Sequence, residues 1–415
     1  MKVFFKTFGC RVNQYETQAL RERMALDDSS VTEDFESADI CVVNTCSVTE
    51  QADRDALTLL RRISRRNPSA RVVVTGCLAA RSAAEVLRAA PSAVVLGNDR
   101  KDEIPALLGC ESAAGFPGIA AFSGHSRAFL KVQDGCDMKC SYCVVPSVRP
   151  KLWSKPYAEV EREARGLLGA GYRELVLCGI RLGRYRSQDP AGRPVDLVGL
   201  IRRLVDLDGD FRVRLSSLEI TDMSGRFLDL AAGSGGRLCP SFHLPVQSGS
   251  ESVLRRMGRW YTAAYYEGRI DALKRVLPDA GLFSDVLVGF PGETVSEFES
   301  SRAFIERMGF SGLHVFRFSK RSGTPAALRE GQLPAAALQE RAQAMRALDR
   351  KLRASFAAAS VGSRRRVVVE ERSAKVTATT DHFLRVFLDK DPGPGLHWAE
   401  LVSSSGASAW ANLRP

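Results

Sequence analysis

The stretch Cys136-Asp-Met-Lys-Cys140-Ser-Tyr-Cys143 lies in a predicted loop that directly follows a short apolar run. That run is the first of six strand candidates, which alternate with helical stretches as far as about residue 360. Repeated strand–helix units of this number predict a complete or partial TIM-type barrel, with its site at the carboxyl ends of the strands. The strand candidates are Phe129–Val132, Glu174–Cys178, Phe211–Leu215, Phe242–Val246, Ser284–Val288 and Leu313–Phe318.

The C-x3-C-x2-C spacing of this stretch favours one kind of metal chemistry. Three thiolates can hold three irons of a four-iron cluster, which leaves one iron without a protein ligand. An open iron can chelate the amino and carboxylate groups of S-adenosylmethionine (SAM), and reduction then gives a 5′-deoxyadenosyl radical. Structural zinc usually requires four ligands, and the nearest histidine, His125, is unsuitably placed. The motif therefore favours a [4Fe-4S] cluster with SAM over zinc.

Three more cysteines follow apolar runs in residues 1–108. The runs and their cysteines are Val3–Phe8 with Cys10, Ile40–Val43 with Cys46, and Val72–Val74 with Cys77. Helical stretches between the runs predict a parallel sheet, in which the carboxyl ends of the strands meet at one edge. We therefore expect the three thiols to converge as ligands of a second cluster, again with an open iron. The alternative is three unrelated buried thiols.

The composition changes twice along the chain. Residues 109–126 are rich in small residues, Gly and Pro, and are typical of a linker, so the barrel is expected at residues 127–360. Residues 361–415 contain β-branched runs and turn signals but no long helix, which predicts a small β-barrel. The predicted fold class is α/β, with an N-terminal parallel-sheet domain, a central barrel and a C-terminal small β-barrel.

The charge of the chain favours an anionic partner. Lys and Arg number 59 against 48 Asp and Glu, a net charge of +11, and RNA is the obvious anion. Arg364, Arg365 and Arg366 are candidates for phosphate contacts beside the predicted small barrel, although a charge run is usually a solvated face. No apolar run approaches the ~18 residues of a membrane span, and no signal-peptide core follows Met1. We expect a cytoplasmic protein without a membrane partner.

Small and polar residues after the predicted barrel strands are candidates for SAM contacts. Backbone at a glycine can approach a cofactor closely, and an aromatic ring between cluster cysteines could stack on adenine. Turn chemistry, helix capping and packing are the alternative explanations. His243 is expected to be a satisfied core histidine rather than a ligand. The candidates are Tyr142, Gly179, Ser217, Glu219, Gln247, Ser248 and Gly289.

Taken together, these motifs resemble those of the radical-SAM methylthiotransferase family over nearly the whole chain. The stretches Lys6–Thr17, Asn44–Thr49 and Thr75–Cys77 look like the family's auxiliary-cluster motifs, and Lys131–Pro146 looks like its radical-SAM loop. The C-terminal segment looks like the RNA-binding TRAM domain. Further stretches that resemble family motifs are His243–Ser250, Asp285–Thr294 and Phe318–Ala326.

The resemblance implies a tRNA-modifying enzyme that uses two [4Fe-4S] clusters and two molecules of SAM. One SAM methylates sulfur at the auxiliary cluster, whose ligands would be Cys10, Cys46 and Cys77. The other yields the radical at the cluster bound by Cys136, Cys140 and Cys143, and this radical removes hydrogen from C2 of an adenine. Because a C2–H is not acidic, no catalytic residue beyond the cluster ligands is required. The implied partners are the tRNA anticodon loop and a reducing electron donor such as flavodoxin or ferredoxin, while the sulfur donor is not identified.

The wording of the N-terminal motifs distinguishes branches of the family. The stretches Gly9–Thr17 and Asn44–Arg54 resemble the branch that acts on N6-threonylcarbamoyladenosine at tRNA position 37. The alternatives are a methylthiotransferase for isopentenyladenosine in tRNA or for a ribosomal protein, and a noncatalytic zinc-containing RNA-binding protein.

The loop after Pro146 departs from the family pattern. Ser147 and Pro150 stand where the family usually has an aromatic residue and glycine, and Trp153 lies in the same divergent stretch. Proline fixes φ and lacks an N–H donor. This departure questions the family's substrate contacts near Arg149, but it does not affect the cluster ligands.

Overall fold

The computed structural model describes residues 1–24, 30–109, 118–122, 125–372 and 375–414. These residues belong to two compact units. The first unit comprises residues 1–123, 133–138 and 143–153, and the second comprises residues 124–132, 139–142 and 154–415. The cysteine loop is thereby divided, since Cys136 and Cys143 belong to the first unit and Cys140 to the second. Much of the expected linker, including Cys110, lies outside the described residues.

The first unit contains a five-stranded parallel sheet in the order β2-β1-β3-β4-β5. Its elements are β1 (Val3–Thr7), α1 (Arg11–Arg23), β2 (Val31–Thr32), β3 (Ile40–Thr45), α2 (Glu50–Arg66), β4 (Arg71–Gly76), α3 (Cys77–Arg81), α4 (Ala83–Ala89), β5 (Val94–Val95) and α5 (Ile104–Leu107). The central strand β3 is buried along its whole length, as expected for a parallel sheet covered on both faces. Two apolar clusters, one containing Leu60 and the other Leu20, cover these faces.

The second unit contains a partial barrel of six strands. The next elements along the chain are β6 (Ala128–Lys131), β7 (Gln133–Asp134), α6 (Val145–Val148), β8 (Trp153–Ser154), α7 (Tyr157–Gly169), β9 (Glu174–Cys178), β10 (Arg186–Gln188), β11 (Pro194–Asp196), α8 (Leu197–Val205), β12 (Arg212–Leu215), α9 (Gly225–Gly233), β13 (Ser241–His243), α10 (Glu251–Arg256), α11 (Ala263–Val276), β14 (Gly281–Val288), α12 (Val295–Met308), β15 (Gly312–Arg317) and α13 (Ala335–Ala359). Of these, β7 and α6 belong to the first unit. The parallel sheets β6-β9-β12 and β13-β14-β15 are joined by a bridge between Ser217 and His243.

The C-terminal part of the second unit is a closed five-stranded barrel in the order β16-β17-β18-β20-β19. Its strands are β16 (Arg364–Arg372), β17 (Val376–Thr380), β18 (Arg385–Leu388), β19 (Leu396–Ser405) and β20 (Ser408–Arg414). Small and branched side chains such as Val367, Ala378 and Ala399 fill its interior. The predicted fold class is confirmed, with the central barrel in its partial form. None of the described helices is long and apolar enough to cross a membrane.

Local sequence signals account for several element boundaries. Thr294 and Glu297 form a reciprocal capping box at the start of α12, which satisfies backbone donors that the helix itself leaves open. The same helix ends at Gly309, whose φ of 59° is left-handed and therefore favours glycine. Thr49 caps α2 by accepting a hydrogen bond from the Ala52 N–H.

A buried ionic network joins the two parts of the second unit. Glu174 on β9 accepts hydrogen bonds from the Nε atoms of Arg212 and Arg214, each at 2.6 Å. The remaining guanidinium nitrogens donate to backbone carbonyls of the C-terminal barrel, including those of Arg366 at 2.8 Å and Thr380 at 3.0 Å. Burial alone would raise the pKa of Glu174, but the two arginines hold it well below its ordinary value. The carboxylate is therefore the counter-charge that allows two buried arginines to bind the small barrel.

We predict that Glu174→Gln destabilises the protein, because it leaves Arg212 and Arg214 buried without a counter-charge. The free energy of unfolding should fall by about 3–5 kcal/mol, as measured by urea denaturation followed by circular dichroism. Glu306→Gln is the matched control, since Glu306 forms an exposed pair with Lys351 and should change stability little. Equal effects of the two substitutions would contradict this role of Glu174.

Candidate active site

Three cysteines of the first unit lie at the carboxyl ends of adjacent strands. Cys10 follows β1 and is the N-cap of α1, Cys46 follows β3, and Cys77 follows β4 as the first residue of α3. Because β1, β3 and β4 are neighbours, the strand order brings all three to the same edge. The pKa of Cys46 is raised to about 12, mainly by burial and in smaller part by charge on Cys10 and Cys77. This mutual influence places the three thiols near one another.

Glycines directly before two of these cysteines permit the close approach. Gly9 has a φ of 90°, and a Cβ built there would lie 2.5 Å from Cys46 Cβ. Gly76 has a φ of 98°, and a Cβ there would lie 2.5 Å from the Thr45 backbone nitrogen. Any side chain at either position would therefore both strain the backbone and collide with a neighbouring loop.

The donor set at this edge fits an iron–sulfur cluster. Thiolates are the usual ligands of such clusters, and a buried thiol with a raised pKa, such as Cys46, needs a cation to stabilise its deprotonated form. Asn98 Nδ2 lies 3.8 Å from Cys77 Sγ, and the Val48 N–H lies 3.5 Å from Cys46 Sγ. Donors of this kind stabilise negative charge on sulfur. A cluster at this edge would thus have as its ligands Cys10, Cys46 and Cys77.

Arg149 lies at the centre of a buried polar network in the first unit. Its Nη2 donates to Asn13 Oδ1 and to Glu16 at 2.9 Å each, and its Nη1 donates to Asp134 Oδ2 at 2.7 Å. Lys101 also pairs with Glu16. Burial would lower the pKa of Arg149, but the carboxylates raise it well above its ordinary value. The Arg149 guanidinium is therefore bound to other residues of the protein, and these bonds hold the divergent loop in its conformation.

The backbone around Arg149 contacts residues beside both cysteine groups of the first unit. The Cys136 N–H donates to the Arg149 carbonyl at 3.0 Å. Asn98, whose amide reaches Cys77, also donates to the Val148 carbonyl at 3.0 Å. The Arg149 side chain binds Asn13 and Glu16, which belong to the helix that begins after Cys10. One short segment therefore positions loops that carry cysteines of both motifs.

Cys140 lies in the second unit beside a buried arginine. Arg259 Nη1 lies 3.4 Å from Cys140 Sγ, and Nη2 of the same side chain pairs with Glu219. Burial raises the pKa of Glu219, although Arg259 and Arg181 lower it. Arg259 is thus placed to neutralise a thiolate at Cys140 and to orient Glu219, one of the residues predicted to contact SAM.

The other predicted SAM contacts have varied surroundings. Tyr142 packs against the apolar cluster that contains Val253, Met257 and Phe290, and Gly179 directly follows β9. Ser217 is exposed after β12 and bonds to His243. These three residues remain predicted contacts with SAM.

Three further predicted SAM contacts lie near β14. Gln247 has a φ of 66°, which is unusual for a residue other than glycine, and its backbone bridges to β14. Ser248 is buried and its hydroxyl lies 3.4 Å from that of Ser301. The Gly289 N–H donates to Glu293 at 2.8 Å, and a Cβ built at Gly289 would lie 2.0 Å from Leu338 Cδ2. The strained backbone at Gln247 is typical of functional positions, whereas Ser248 and Gly289 already make contacts within the protein.

The predicted RNA-binding arginines lie at the start of β16 and differ in their contacts. Arg365 pairs with Asp279 at 3.1 Å, and Arg366 pairs with Asp210 at 2.5 Å. Arg364 lies over the ring of Trp398. Two of the three side chains thus bind carboxylates of the partial barrel.

An aromatic face of the small barrel was not predicted from the sequence. Trp398 and Trp410 are 43% and 40% exposed, and Phe387 packs against Trp410. Lys375 and Arg385 lie over the Phe387 ring. Exposed rings flanked by cations are typical of surfaces that stack nucleic-acid bases. Each tryptophan is followed by an alanine that is buried in the small barrel, and this polarity of neighbouring positions along a β run was the available signal.

Arg259 and Asn98 are functional candidates that were not predicted from the sequence. Arg259 lies between α10 and α11, and Asn98 follows β5, so neither belongs to a motif that contains cysteine. Both reach thiols through tertiary contacts. A polar residue at the end of a parallel strand was the only signal for Asn98, and Arg259 had no local signal.

Two family models match the chain. The model described as Uncharacterized protein family UPF0004 matches residues 2–97, and the Radical SAM superfamily model matches residues 130–305. The first match contains the parallel sheet with its three strand-end cysteines. The second contains the C-x3-C-x2-C motif and five of the six strand regions of the partial barrel.

Named relatives are similar over most of the chain. The Thermotoga maritima protein "Threonylcarbamoyladenosine tRNA methylthiotransferase MtaB" is 35% identical, over 89% of this chain and 86% of its own length. The Novosphingobium aromaticivorans protein "tRNA-2-methylthio-N(6)-dimethylallyladenosine synthase" is also 35% identical, over 88% of this chain and 86% of its own length. Overall identity therefore does not separate the two kinds of relative.

Solved structures share the fold at low sequence identity. The radical S-adenosylmethionine methyltransferase TsrM from Kitasatospora setae is 16% identical and has a TM-score of 0.55, over 79% of this chain and 77% of that chain. The cobalamin-dependent S-adenosylmethionine radical enzyme OxsB is 12% identical with a TM-score of 0.52, over 84% of this chain and 56% of that chain. These likenesses indicate the fold alone.

We predict that Gly9→Ala displaces Cys46, because the new Cβ would overlap the Cys46 side chain. In metal-free protein, iodoacetamide should modify Cys46 faster than in the wild type, as followed by peptide mass spectrometry. Gly171→Ala is the matched control, since Gly171 has a φ of 97° and open space around a Cβ. Both variants should lose about 1–3 kcal/mol through backbone strain, but only the first should expose the thiol. Unchanged Cys46 reactivity in Gly9→Ala would contradict the packing described here.

Proposed function

Because the chain belongs to the radical-SAM methylthiotransferase family, we propose that it attaches a methylthio group to C2 of N6-threonylcarbamoyladenosine at position 37 of tRNA. The single observation that carries the proposal is the convergence of Cys10, Cys46 and Cys77 at one edge of a parallel sheet, in addition to the C-x3-C-x2-C motif. A carbon of an aromatic base is not activated by ordinary acid–base catalysis, and two cysteine triads match the need for radical and sulfur chemistry in one chain.

The chain's residues have distinct tasks in this proposal. Cys136, Cys140 and Cys143 would hold a [4Fe-4S] cluster with SAM, and the strand-end triad would hold the second cluster. When bound, these groups supply the radical and sulfur chemistry of the reaction. Arg259 would neutralise charge at Cys140, while Arg149 would fix the helix and loop beside the two groups. Because both arginines are held in buried ion pairs, their charges are already in place and need no rearrangement of solvent during the reaction.

The tRNA substrate is supported by the C-terminal barrel and by the names of relatives. Exposed Trp398 and Trp410, with Arg364 and neighbouring cations, offer rings and charges suited to single-stranded loops. The same surface would serve either adenosine derivative, so it supports RNA binding and not the choice of base. That choice is supported by the wording of Gly9–Thr17 and Asn44–Arg54.

A second candidate substrate is N6-dimethylallyladenosine in tRNA. This substrate is favoured by the relative from Novosphingobium aromaticivorans, which is named as a synthase of the 2-methylthio product. That relative is 35% identical to the chain, as is the threonylcarbamoyladenosine methylthiotransferase from Thermotoga maritima. The two substrates share the adenine ring and its C2, so the cluster chemistry is the same for both. They differ in the substituent on N6, which is polar in one case and apolar in the other.

We predict that the chain produces 2-methylthio-N6-threonylcarbamoyladenosine when expressed in a bacterial host that lacks its own tRNA methylthiotransferases. Digested tRNA would be analysed by liquid chromatography and mass spectrometry. The same host with Cys140→Ala is the control and should form no methylthio nucleoside, since a thiolate of the radical motif is removed. Accumulation of the dimethylallyl product alone would reject the proposed substrate, and no methylthio product of either kind would reject the reaction.

We also predict that the two cysteine triads bind iron separately. Wild-type protein purified without oxygen should hold about eight irons per chain, and Cys46→Ala should hold about four. The variant should still cleave SAM to 5′-deoxyadenosine, because the radical motif is intact. Cys239→Ala is a suitable control, since Cys239 is buried in the barrel and should leave the iron content unchanged. Full iron content in Cys46→Ala would show that the thiol does not bind a cluster.

A further inference from the structure

Four polar side chains form a hydrogen-bonded chain across neighbouring strands of the partial barrel. Ser217 Oγ lies 2.6 Å from His243 Nδ1, and His243 Nε2 lies 2.9 Å from Asp285 Oδ1. His314 Nδ1 lies 3.1 Å from the same carboxylate oxygen. We call Ser217, His243, Asp285 and His314 the polar relay. The cluster chemistry of the proposed function does not require it.

The polar relay faces the inside of the partial barrel. Along β14, Ser284, Val286 and Val288 are buried, whereas Asp285 is partly exposed. Successive side chains of a strand point to opposite faces, so Asp285 lies on the face opposite to these three buried side chains. His314 pairs with Asp285 in register on β15 and therefore shares this face.

Apolar rings close the barrel on one side of the polar relay. Phe283, two residues before Asp285 on the same strand, shares its face. Its ring lies 5.5 Å from that of Phe383 in the C-terminal barrel and 6.3 Å from that of Phe356 on α13. The His314 side chain nevertheless remains 56% exposed. The ring is therefore accessible to a ligand.

The hydrogen bonds of the polar relay determine what His314 can offer to a ligand. Burial raises the pKa of Asp285, but hydrogen bonds from His243 and His314 lower it well below its ordinary value. The ionised carboxylate accepts an N–H from each imidazole. In a neutral His314 ring, donation from Nδ1 leaves Nε2 as an acceptor. Among the described residues, the ring contacts only Asp285 and the His243 ring, so Nε2 is available.

We propose that the polar relay recognises a polar substituent on N6 of the substrate base, with His314 Nε2 accepting a hydrogen bond from its hydroxyl or N–H group. The ligand class is an N6-acylated adenosine whose acyl group carries such donors, as threonylcarbamoyl does. This inference rests on the proposed function and deepens it, since it names residues of this chain that distinguish the two candidate substrates.

The shape of the base agrees with this placement. C2 must lie near the carboxyl ends of the strands, where sites form in barrels of this type. The substituent on N6 is attached through C6, which N1 separates from C2, and it can therefore extend deeper into the barrel while C2 stays near the strand ends. A dimethylallyl group has no hydroxyl or N–H of its own, so it would displace water from His314 without replacing the hydrogen bond. Sites built to bond a polar substituent discriminate strongly against analogues that lack it.

A metal ion is the alternative occupant of the polar relay. The ligand atoms of His243, Asp285 and His314 all lie within 4.8 Å of one another, and two imidazoles with a carboxylate can bind transition metals. The substrate role is favoured because both imidazoles already donate to Asp285, which satisfies the carboxylate without an ion. The experiment below includes the metal as an outcome.

The test uses the reconstituted holoenzyme and tRNA that carries either threonylcarbamoyladenosine or dimethylallyladenosine. We expect His314→Leu to lower kcat/KM for the first tRNA by about tenfold or more, mainly through KM, which corresponds to one lost hydrogen bond to substrate. His314→Gln should restore part of the activity, because its amide oxygen can accept a hydrogen bond. SAM cleavage without tRNA and the electron paramagnetic resonance spectrum should match those of the wild type. His125→Leu, which precedes the barrel strands, is the control.

Several results would overturn the inference. If the wild type modifies threonylcarbamoyl tRNA and His314→Leu does so equally well, the polar relay does not recognise the substituent, while the proposed function stands. If the wild type modifies only dimethylallyl tRNA, the proposed function fails and this inference fails with it. One equivalent of zinc that survives cluster removal and is lost in Asp285→Asn would identify a metal site instead.

Discussion

The guanidinium of Arg149 is the interaction on which the first unit's cysteine edge depends. The guanidinium donates to Asn13 and Glu16 on the helix that follows Cys10. The backbone carbonyl of the same residue accepts a hydrogen bond from the Cys136 N–H. A buried arginine is stable only when carboxylates surround it, and removal of either partner leaves an uncompensated charge. The network therefore fixes the conformation of the divergent loop that contains Arg149 and Pro150. The positions of cysteines from two separate motifs therefore depend on this one residue, on its side chain for the first and on its backbone for the second.

The second unit uses the same principle at another place. Glu174 binds Arg212 and Arg214, whose remaining donors hold backbone carbonyls of the C-terminal barrel. Every residue has a backbone carbonyl, so this attachment depends on the backbone geometry of the small barrel rather than on the identity of its side chains. The partial barrel can thus carry a domain with a varied outer surface. Phe383 lies under the Arg214 guanidinium and adds an apolar contact at the same junction.

The sequence predicted those parts of the molecule that depend on local patterns. The apolar runs before Cys10, Cys46 and Cys77 predicted a parallel sheet, and parallel strands necessarily bring their carboxyl ends together. The roles of Arg149 and Arg259 could not be predicted, since their partners lie far away along the chain and no local pattern marks a buried arginine. The same limit applies to the polar relay, whose members come from four separate strand regions and meet only when the strands of the partial barrel assemble.

The basic character of the chain also acquires a different meaning from the structure. The net charge of +11 favoured an RNA partner, yet several arginines neutralise buried carboxylates and are not available to phosphate. Two of the three arginines at the start of β16 bind Asp279 and Asp210. Charge that remains on the small barrel is combined with exposed Trp398 and Trp410. Exposed rings beside cations are suited to contacts with bases as well as with phosphates, and this is the property that the proposed function uses.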